Sequence, residues 1–296
     1  MTPTLIAMPG NEHLATQLAA YLGCEIVPVV VRHFPDGESY VRLLASVRGL
    51  DVCLVCTLDR PDDKLMPLLL MANAAREAGA RSTNLVAPYL AYMRQDQSFH
   101  TGETVSARHF AQWISRHFDA LVTVDPHLHR IKDLSEIYSI ATRVVRAAES
   151  VAQWIHARVR QPLIIGPDEE SAQWASAVAQ QADAPFVVLT KTRSGDRAVQ
   201  VSVPDVQRWY SHTPVLVDDI VSTARTMIET VAHLRRAGLA SPVCVAVHPI
   251  FAQAAFEDLH AAGVAEVVSC DTIEHASNRI TLVPAIAQAM RDLLAG

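Results

Sequence analysis

PVLVDDIVSTARTM, residues 214–227, runs from an apolar segment through paired carboxylates into a hydroxyl-rich turn that opens a helix. An apolar run of this length bounded by turn residues predicts a buried strand, and the amphipathic stretch 226–237 after it predicts a helix. A strand feeding a helix through a short polar loop is the building unit of α/β proteins with parallel sheets. Two readings of the loop stand side by side. In one, Asp218 and Asp219 sit at the carboxyl end of the strand, where vicinal sugar hydroxyls or a magnesium ion can meet them. Ser222, Thr223 and Thr226, with the backbone N–H groups of the helix start, then suit a phosphate at the positive end of the helix dipole. In the other, the same residues are an acidic strand end and an ordinary N-cap. Arg225 stands where a small residue would let the backbone close around an anion.

Outward from this unit, apolar runs recur at 4–8, 25–31, 52–57, 84–88, 121–124, 163–165, 186–189, 199–203, 243–247, 267–270 and 280–283. Amphipathic stretches at 64–78, 105–117, 141–158 and 170–182 fall between many of them, which predicts an α/β fold of mainly parallel sheets flanked by helices. The pattern also repeats. AAREAGARSTNLVAPYL (74–90) and HLRRAGLASPVCVAVHPI (233–250) each end a helix at Arg-x-Ala-Gly, turn, enter an apolar strand and leave it at a proline. Further back, VCLVCTLDRPDD (52–63) lies where PVLVDDIVSTART lies in the second half. The chain therefore reads as two tandem copies of one unit, 1–143 and 144–296, joined within a helix around 139–149. Only the second copy keeps a usable phosphate loop, and the last helix, after Pro284, is free to pack on either half.

With 296 residues, half of them hydrophobic, the chain can build two ordinary cores. No apolar run is long enough to span a bilayer, and the start MTPTLIAMPGNEH lacks the basic and apolar regions of a signal peptide, so a cytoplasmic protein without a membrane partner is expected. A formal charge of −6 argues against nucleic acid as a bulk electrostatic partner. It leaves small phosphates open, since these need only a local cluster of cations and backbone donors. Cys53 and Cys56 form a C-x-x-C inside a strand-like run with no second pair, which points to core packing rather than zinc or redox chemistry.

Parallel sheets bind ligands beyond the carboxyl ends of their strands, so those ends carry the functional reading. VTVDPHLHR (122–130) brings Asp125, His127 and His129 out of a strand, and alternate spacing puts both imidazoles on one side if the chain stays extended. One functional histidine beside a structural one is the favoured reading; magnesium held partly through water is the softer alternative to a zinc site. LIIGPDEES (163–171) offers Asp168 for function, with Glu169 and Glu170 placed to favour the following helix. VVLTKTRSGDR (187–197) carries Lys191, Arg193 and Arg197; these are either donors for a transferring phosphoryl group or a solvated hairpin tip. APYLAYMRQDQSFHTGE (87–103) presents Arg94, Gln95 and Asp96 among aromatic residues, a mixture suited to a nucleotide. RHFPDGESYVR (32–42) sets Phe34, Asp36 and Glu38 around a Pro-Asp-Gly turn, locally a hairpin signal.

Taken in order, FPDGE (34–38), YMRQD (92–96), DPH (125–127), GPD (166–168), KTR (191–193) and VDDIVST (217–223) resemble the ribose-phosphate diphosphokinase, or PRPP synthetase, family, in a style closest to its archaeal-type branch. The resemblance spans nearly the whole chain and implies two phosphoribosyltransferase-like domains. It implies a magnesium-dependent transfer of the diphosphoryl group of ATP to the C1 hydroxyl of ribose 5-phosphate, giving PRPP and AMP. By the same resemblance, Phe34, Asp36 and Glu38 contact adenine from a neighbouring subunit, which requires at least a dimer, and Arg94, Gln95 and Asp96 serve the nucleotide. His127 and Asp168 hold or orient Mg2+, Lys191 and Arg193 stabilise the transition state, and Asp218 and Asp219 take the ribose hydroxyls. Ser222, Thr223, Ala224, Arg225 and Thr226 receive the 5-phosphate. Two departures stand out: Pro126 intervenes where the family usually has leucine, and Thr223-Ala224-Arg225-Thr226 replaces a glycine-containing loop, with strain expected at Arg225 if its φ is positive. A phosphoribosyltransferase, a diphosphokinase for another sugar phosphate and a non-catalytic paralogue are the competing readings.

Overall fold

The alternation of apolar runs and amphipathic stretches builds two α/β units, each around its own parallel sheet. The computed structural model describes residues 2–167, 171–194, 198–202 and 206–295, with side chains left aside at 190–207. The first unit runs to Val145 and includes Thr272–Glu274 and the C-terminal segment from Leu282; the second comprises Arg146–Asp271 and His275–Thr281.

The first unit follows the order β1 (Thr4–Ala7), α1 (Glu12–Leu22), β2 (Val29–His33), β3 (Ser39–Leu43), β4 (Asp51–Val55), α2 (Pro61–Glu77), β5 (Ser82–Ala87), α3 (Ser106–His117), β6 (Ala120–Val124) and β7 (Ala141–Val145). Its sheet has the order β1-β4-β5-β6-β7, parallel throughout, and Ile26 adds an isolated parallel bridge on the outer side of β1. β4 and β6 are buried along their whole length, which is why they read as continuous apolar runs rather than alternating ones. Leu54, Met71, Phe110 and Phe118 are among the side chains of this core.

The second unit follows with α4 (Ala148–Arg158), β8 (Pro162–Gly166), α5 (Ala172–Gln181), β9 (Phe186–Val188), β10 (Thr190–Ser194), β11 (Ala198–Ser202), β12 (Thr213–Val221), α6 (Arg225–Arg236), β13 (Val243–Pro249), α7 (Ala255–Ala262), β14 (Glu266–Cys270) and β15 (Asn278–Ile280). Its sheet order is β9-β8-β12-β13-β14-β15, again parallel throughout. The final helix α8 (Val283–Ala295) belongs to the first unit, where it packs against α1, β6 and β7.

The two sheets are copies strand for strand: the Ile26 bridge corresponds to β9, β1 to β8, and β4 to β7 correspond to β12 to β15. Each copy inserts an antiparallel hairpin at the same point of the chain, β2–β3 in the first and β10–β11 in the second. The Arg-x-Ala-Gly echo survives as matching helix ends. Gly79 and Gly238 have φ of 86° and 82°, the left-handed conformation in which glycine closes a helix without a Cβ clash.

Two expectations need correction. Residues 141–145 form an edge strand, not the start of a helix; α4 begins only at Ala148. Ala-Thr-Arg-Val-Val alternates exposed and half-buried positions along the sheet edge, and its β-branched residues suit that surface better than a helix. The join between the units accordingly follows a strand, at Val145, instead of lying within a helix. The cysteines are free thiols, and burial pushes Cys53, Cys56 and Cys244 up to about 12, as expected of inert core thiols.

The amino ends of the strands are fastened electrostatically. Asp51, buried at the start of β4, accepts from Arg81 Nε and Ser82 Oγ, both at 2.8 Å. The Arg81 hydrogen bond outweighs burial and holds the Asp51 carboxyl below its ordinary value. A depressed carboxylate contributes stability above its ordinary range and loses it as pH falls through the lower folded-state value. Arg81→Ala is therefore expected to unfold at a higher pH than wild type during acid titration followed by circular dichroism. The stability gap between the two closes as pH drops through the folded-state value of Asp51; a constant gap at all pH would contradict this.

Candidate active site

The carboxyl end of β12 presents the acidic pair of the second unit. Asp218 is still within the sheet, opposite Ala246 of β13, and both acids are half-buried. Each accepts the next backbone amide: Asp218 Oδ1 from Asp219 at 3.0 Å, and Asp219 Oδ1 from Ile220 at 2.8 Å. These contacts turn one oxygen of each carboxylate back onto the main chain. The chain then rests on its neighbour, Ser222 O accepting from the Ala252 amide at 3.1 Å.

Helix α6 starts one residue earlier than its apolar pattern predicts, at Arg225. The left-handed residue is Ala224, with φ 55°, while Arg225 is helical. The strain expected at Arg225 thus falls on Ala224, a non-glycine residue in the left-handed region. Ala224 is buried, whereas Thr223 and Arg225 are exposed and Ser222 and Thr226 half-buried. No side chain caps this helix start, so the first-turn N–H groups, which have no intrahelical acceptor by geometry, face the loop uncapped. Arg225 has no ion pair or hydrogen bond among the described residues and adds a cation at the positive end of the dipole, an arrangement that favours an anion there. The degenerate first copy keeps the same backbone device: Arg60, with φ 50°, precedes Pro61 at the start of α2.

Lys191 and Arg193 lie two positions apart on β10, opposite Val201 and Val199 of β11. Their side chains, and Asp168 and Arg197 altogether, lie outside the described residues.

In the first unit, the ends of β5 and β6 carry two loops. Arg94 is exposed; Gln95 Nε2 donates to Glu103 at 3.4 Å, and the Gln95 carbonyl accepts from Ala107 at 3.3 Å. Asp96 is buried, and its carboxylate is engaged by Arg130 through both the guanidinium, at 3.0 Å, and the backbone amide, at 3.2 Å. His127 and His129 fall on one side as their spacing predicts, with Nε2 atoms 2.7 Å apart. That contact makes one imidazole the donor and the other the acceptor. Asp125, just before them, is buried with φ 29°. Among the described residues, no group of three or more His, Cys, Asp or Glu side chains is arranged to hold a metal ion.

The β2–β3 hairpin places Phe34, Asp36 and Glu38 at its exposed tip, with Asp36 Oδ1 accepting from the Glu38 amide at 3.2 Å. The Arg32 guanidinium lies 4.6 Å from the Phe34 ring centre and 4.3 Å from that of Tyr40, giving the tip an aromatic and cationic surface. Beside it a cavity of about 460 Å³ is lined by His33, Glu38, Asp62, Asp63 and Met66, among others. Tyr92, in the loop after β5, donates to Asp62, and that hydrogen bond pushes the phenol up to about 12. Tyr92, Glu103 and Arg130 organise this end of the unit; Tyr92 opens the YMRQD motif, whereas Glu103 and Arg130 have no role readable from the sequence, since an acid eight residues from a glutamine carries no local signal.

The duplicated parallel-sheet fold is that of a phosphoribosyltransferase-like protein. Residues 134–284 match the family described as the phosphoribosyl transferase domain, and residues 4–117 match the N-terminal domain of ribose phosphate pyrophosphokinase. The chain is 33% identical to the ribose-phosphate pyrophosphokinase of Methanopyrus kandleri, covering 98% of this chain and 99% of that protein. It is 31% identical to the protein of the same name from Methanothermobacter thermautotrophicus, covering 97% and 100%. The crystal structure of phosphoribosylpyrophosphate synthetase from Mycobacterium smegmatis superposes with a TM-score of 0.88 at 25% identity, over 100% of this chain and 99% of that one. The chain belongs to the ribose-phosphate pyrophosphokinase family. No helix among the described residues is long and apolar enough to cross a membrane.

Proposed function

We propose that the chain transfers the diphosphoryl group of ATP to ribose 5-phosphate, forming PRPP and AMP. The observation that carries this reading is the unit of acid pair, left-handed Ala224 and uncapped α6 at the carboxyl end of β12, in a chain of this family. Asp218 and Asp219 take the ribose hydroxyls, and the loop from Ser222 to Thr226 takes the 5-phosphate on backbone amides and hydroxyls. The C1 hydroxyl oxygen then attacks the β-phosphorus of ATP. The bond from that phosphorus to the oxygen bridging it to the α-phosphorus breaks, AMP leaves, and the hydroxyl proton is released. Lys191 and Arg193 stabilise the transferring group, a task of positioning and charge neutralisation that needs no covalent nucleophile.

Arg94 and Gln95 bind the nucleotide phosphates. Asp96, spent on Arg130, supports that loop instead of contacting ATP. Asp168 would hold Mg2+ and His127 orient it, since the ion keeps several waters and is bound through carboxylate and phosphate oxygens. When bound, magnesium supplies charge neutralisation on the phosphates. The exposed Phe34 tip with Arg32 behind it suits adenine contacts from a second copy of the chain, hence at least a dimer, and an ATP-consuming enzyme of nucleotide supply belongs in the cytoplasm.

Incubation of the purified protein with Mg2+, ATP and ribose 5-phosphate is expected to yield AMP and PRPP in equal amounts, read by ion-exchange chromatography and phosphorus NMR. AMP no higher than in the control without sugar would overturn the reading. Arg225 supplies a further cation to the 5-phosphate. Arg225→Ala is expected to raise KM for ribose 5-phosphate about tenfold, the value of one charge-assisted hydrogen bond, with kcat nearly unchanged. A fall in KM would show the side chain to be an obstruction.

A further inference from the structure

The ion pair between Asp96 and Arg130 joins the two loops of the first unit that carry site residues. Asp96 follows Gln95 directly, and Arg130 follows His129 directly. The pair is unevenly buried: the Asp96 side chain is 4% exposed and that of Arg130 50%. Both Asp96 oxygens are used by the same partner residue, Oδ1 by the guanidinium at 3.0 Å and Oδ2 by the backbone N–H at 3.2 Å. The contact therefore fixes the main chain at residue 130 as well as the side chain. On its other side, the Arg130 guanidinium lies 5.4 Å from the centre of the Phe99 ring. The Phe99 amide donates to Glu103 Oε2 at 2.7 Å, and Glu103 also receives Gln95 Nε2. Contacts thus close a ring through Asp96, Arg130, Phe99, Glu103 and Gln95, with Arg94 left exposed at its edge.

Stability alone is a poor reason for such a pair. Desolvating a carboxylate costs several kcal/mol, and well-packed apolar residues often do as well or better. What a buried charge with two directional contacts provides is one geometry. On the reading of the site given above, we propose that Arg130 is a positioning residue: through Asp96 it fixes Arg94 and Gln95 against the His127 loop, so that the nucleotide phosphates meet one prearranged set of donors. It acts through its neighbours and touches no reacting atom.

The test uses the full-length protein as wild type, Arg130→Gln and Arg130→Lys, with Asp96→Asn/Arg130→Gln as a fourth form in which the buried charge is gone. Arg130→Gln is expected to raise KM for ATP about tenfold and to lower kcat by a similar factor, because misplaced donors cost rate as well as binding. KM for ribose 5-phosphate stays within about twofold, since that sugar binds at other residues. Direct calorimetric titration with MgATP in the absence of sugar is expected to show the same weakening. Arg130→Lys recovers most of the loss, because only one guanidinium nitrogen contacts Asp96 and an ammonium can replace it. Wild-type kinetic constants and wild-type ATP affinity in folded Arg130→Gln, with only its melting temperature changed, would overturn the proposal. If Arg130→Gln does not fold, the double variant decides: a selective ATP defect supports the proposal, and wild-type constants overturn it. A wild-type protein that forms no AMP would sink the reaction instead, and the ATP titrations would still decide the role of Arg130.

Discussion

Asp218→Asn/Asp219→Asn is expected to lower kcat/KM for ribose 5-phosphate by about three orders of magnitude while KM for ATP stays near its wild-type value. On the proposed reading each carboxylate accepts a hydrogen bond from a sugar hydroxyl, and such charged bonds are worth about 1.5–3 kcal/mol apiece, so losing two would remove roughly 10² to 10⁴ in rate. Asparagine keeps the volume and an oxygen able to accept from the Asp219 and Ile220 amides, so the turn at the end of β12 is retained. The β12 ladder to β13 is main-chain hydrogen bonding and does not depend on either side chain. Circular dichroism and melting temperature should therefore match wild type, and initial rates at saturating ATP give the sugar dependence. A double variant with unchanged KM and kcat for ribose 5-phosphate would remove the acid pair from the site and leave the sugar without a recognised partner.

The fold was legible because it is built from the least ambiguous sequence signal, apolar runs covered on both faces and punctuated by turns. Runs such as LVTV and VCVAV are buried on every residue, and the matched glycines at 79 and 238 mark equivalent helix ends in the two copies. What the sequence obscured is what depends on an edge or on a distant partner. Residues 141–145 lie at the margin of a sheet, where half the positions see solvent, and their spacing also fits one face of a helix. Asp96 reads as a nucleotide ligand beside Arg94 and Gln95, and no local spacing reveals the partner 34 residues away that contacts both its oxygens. The left-handed residue of the phosphate-type loop is a third case. Composition points to a position that tolerates no side chain, but one step of register decides whether the strain falls on Ala224 or Arg225, and only the helix start at Arg225 resolves it.

Lys191→Ala is expected to lower kcat by about 10³ or more while the affinity for MgATP, measured by calorimetric titration without sugar, changes by no more than a few-fold; a cation supplied to a transferring phosphoryl group typically contributes 10³–10⁵ in rate. The charge on the β-phosphoryl group and on the departing AMP oxygen grows only during transfer, so a donor aimed at it stabilises the transition state more than the bound nucleotide. The β10–β11 pairing of Lys191 with Val201 is a main-chain ladder, so alanine leaves the hairpin its hydrogen bonds. Lys191→Arg keeps the charge but replaces a compact ammonium with a planar fork, and should recover only part of the rate. A loss of ATP affinity as large as the loss of kcat would make Lys191 a ground-state ligand. A change of kcat below about tenfold would move the transition-state charge to Arg193, which stands two residues further along the same strand.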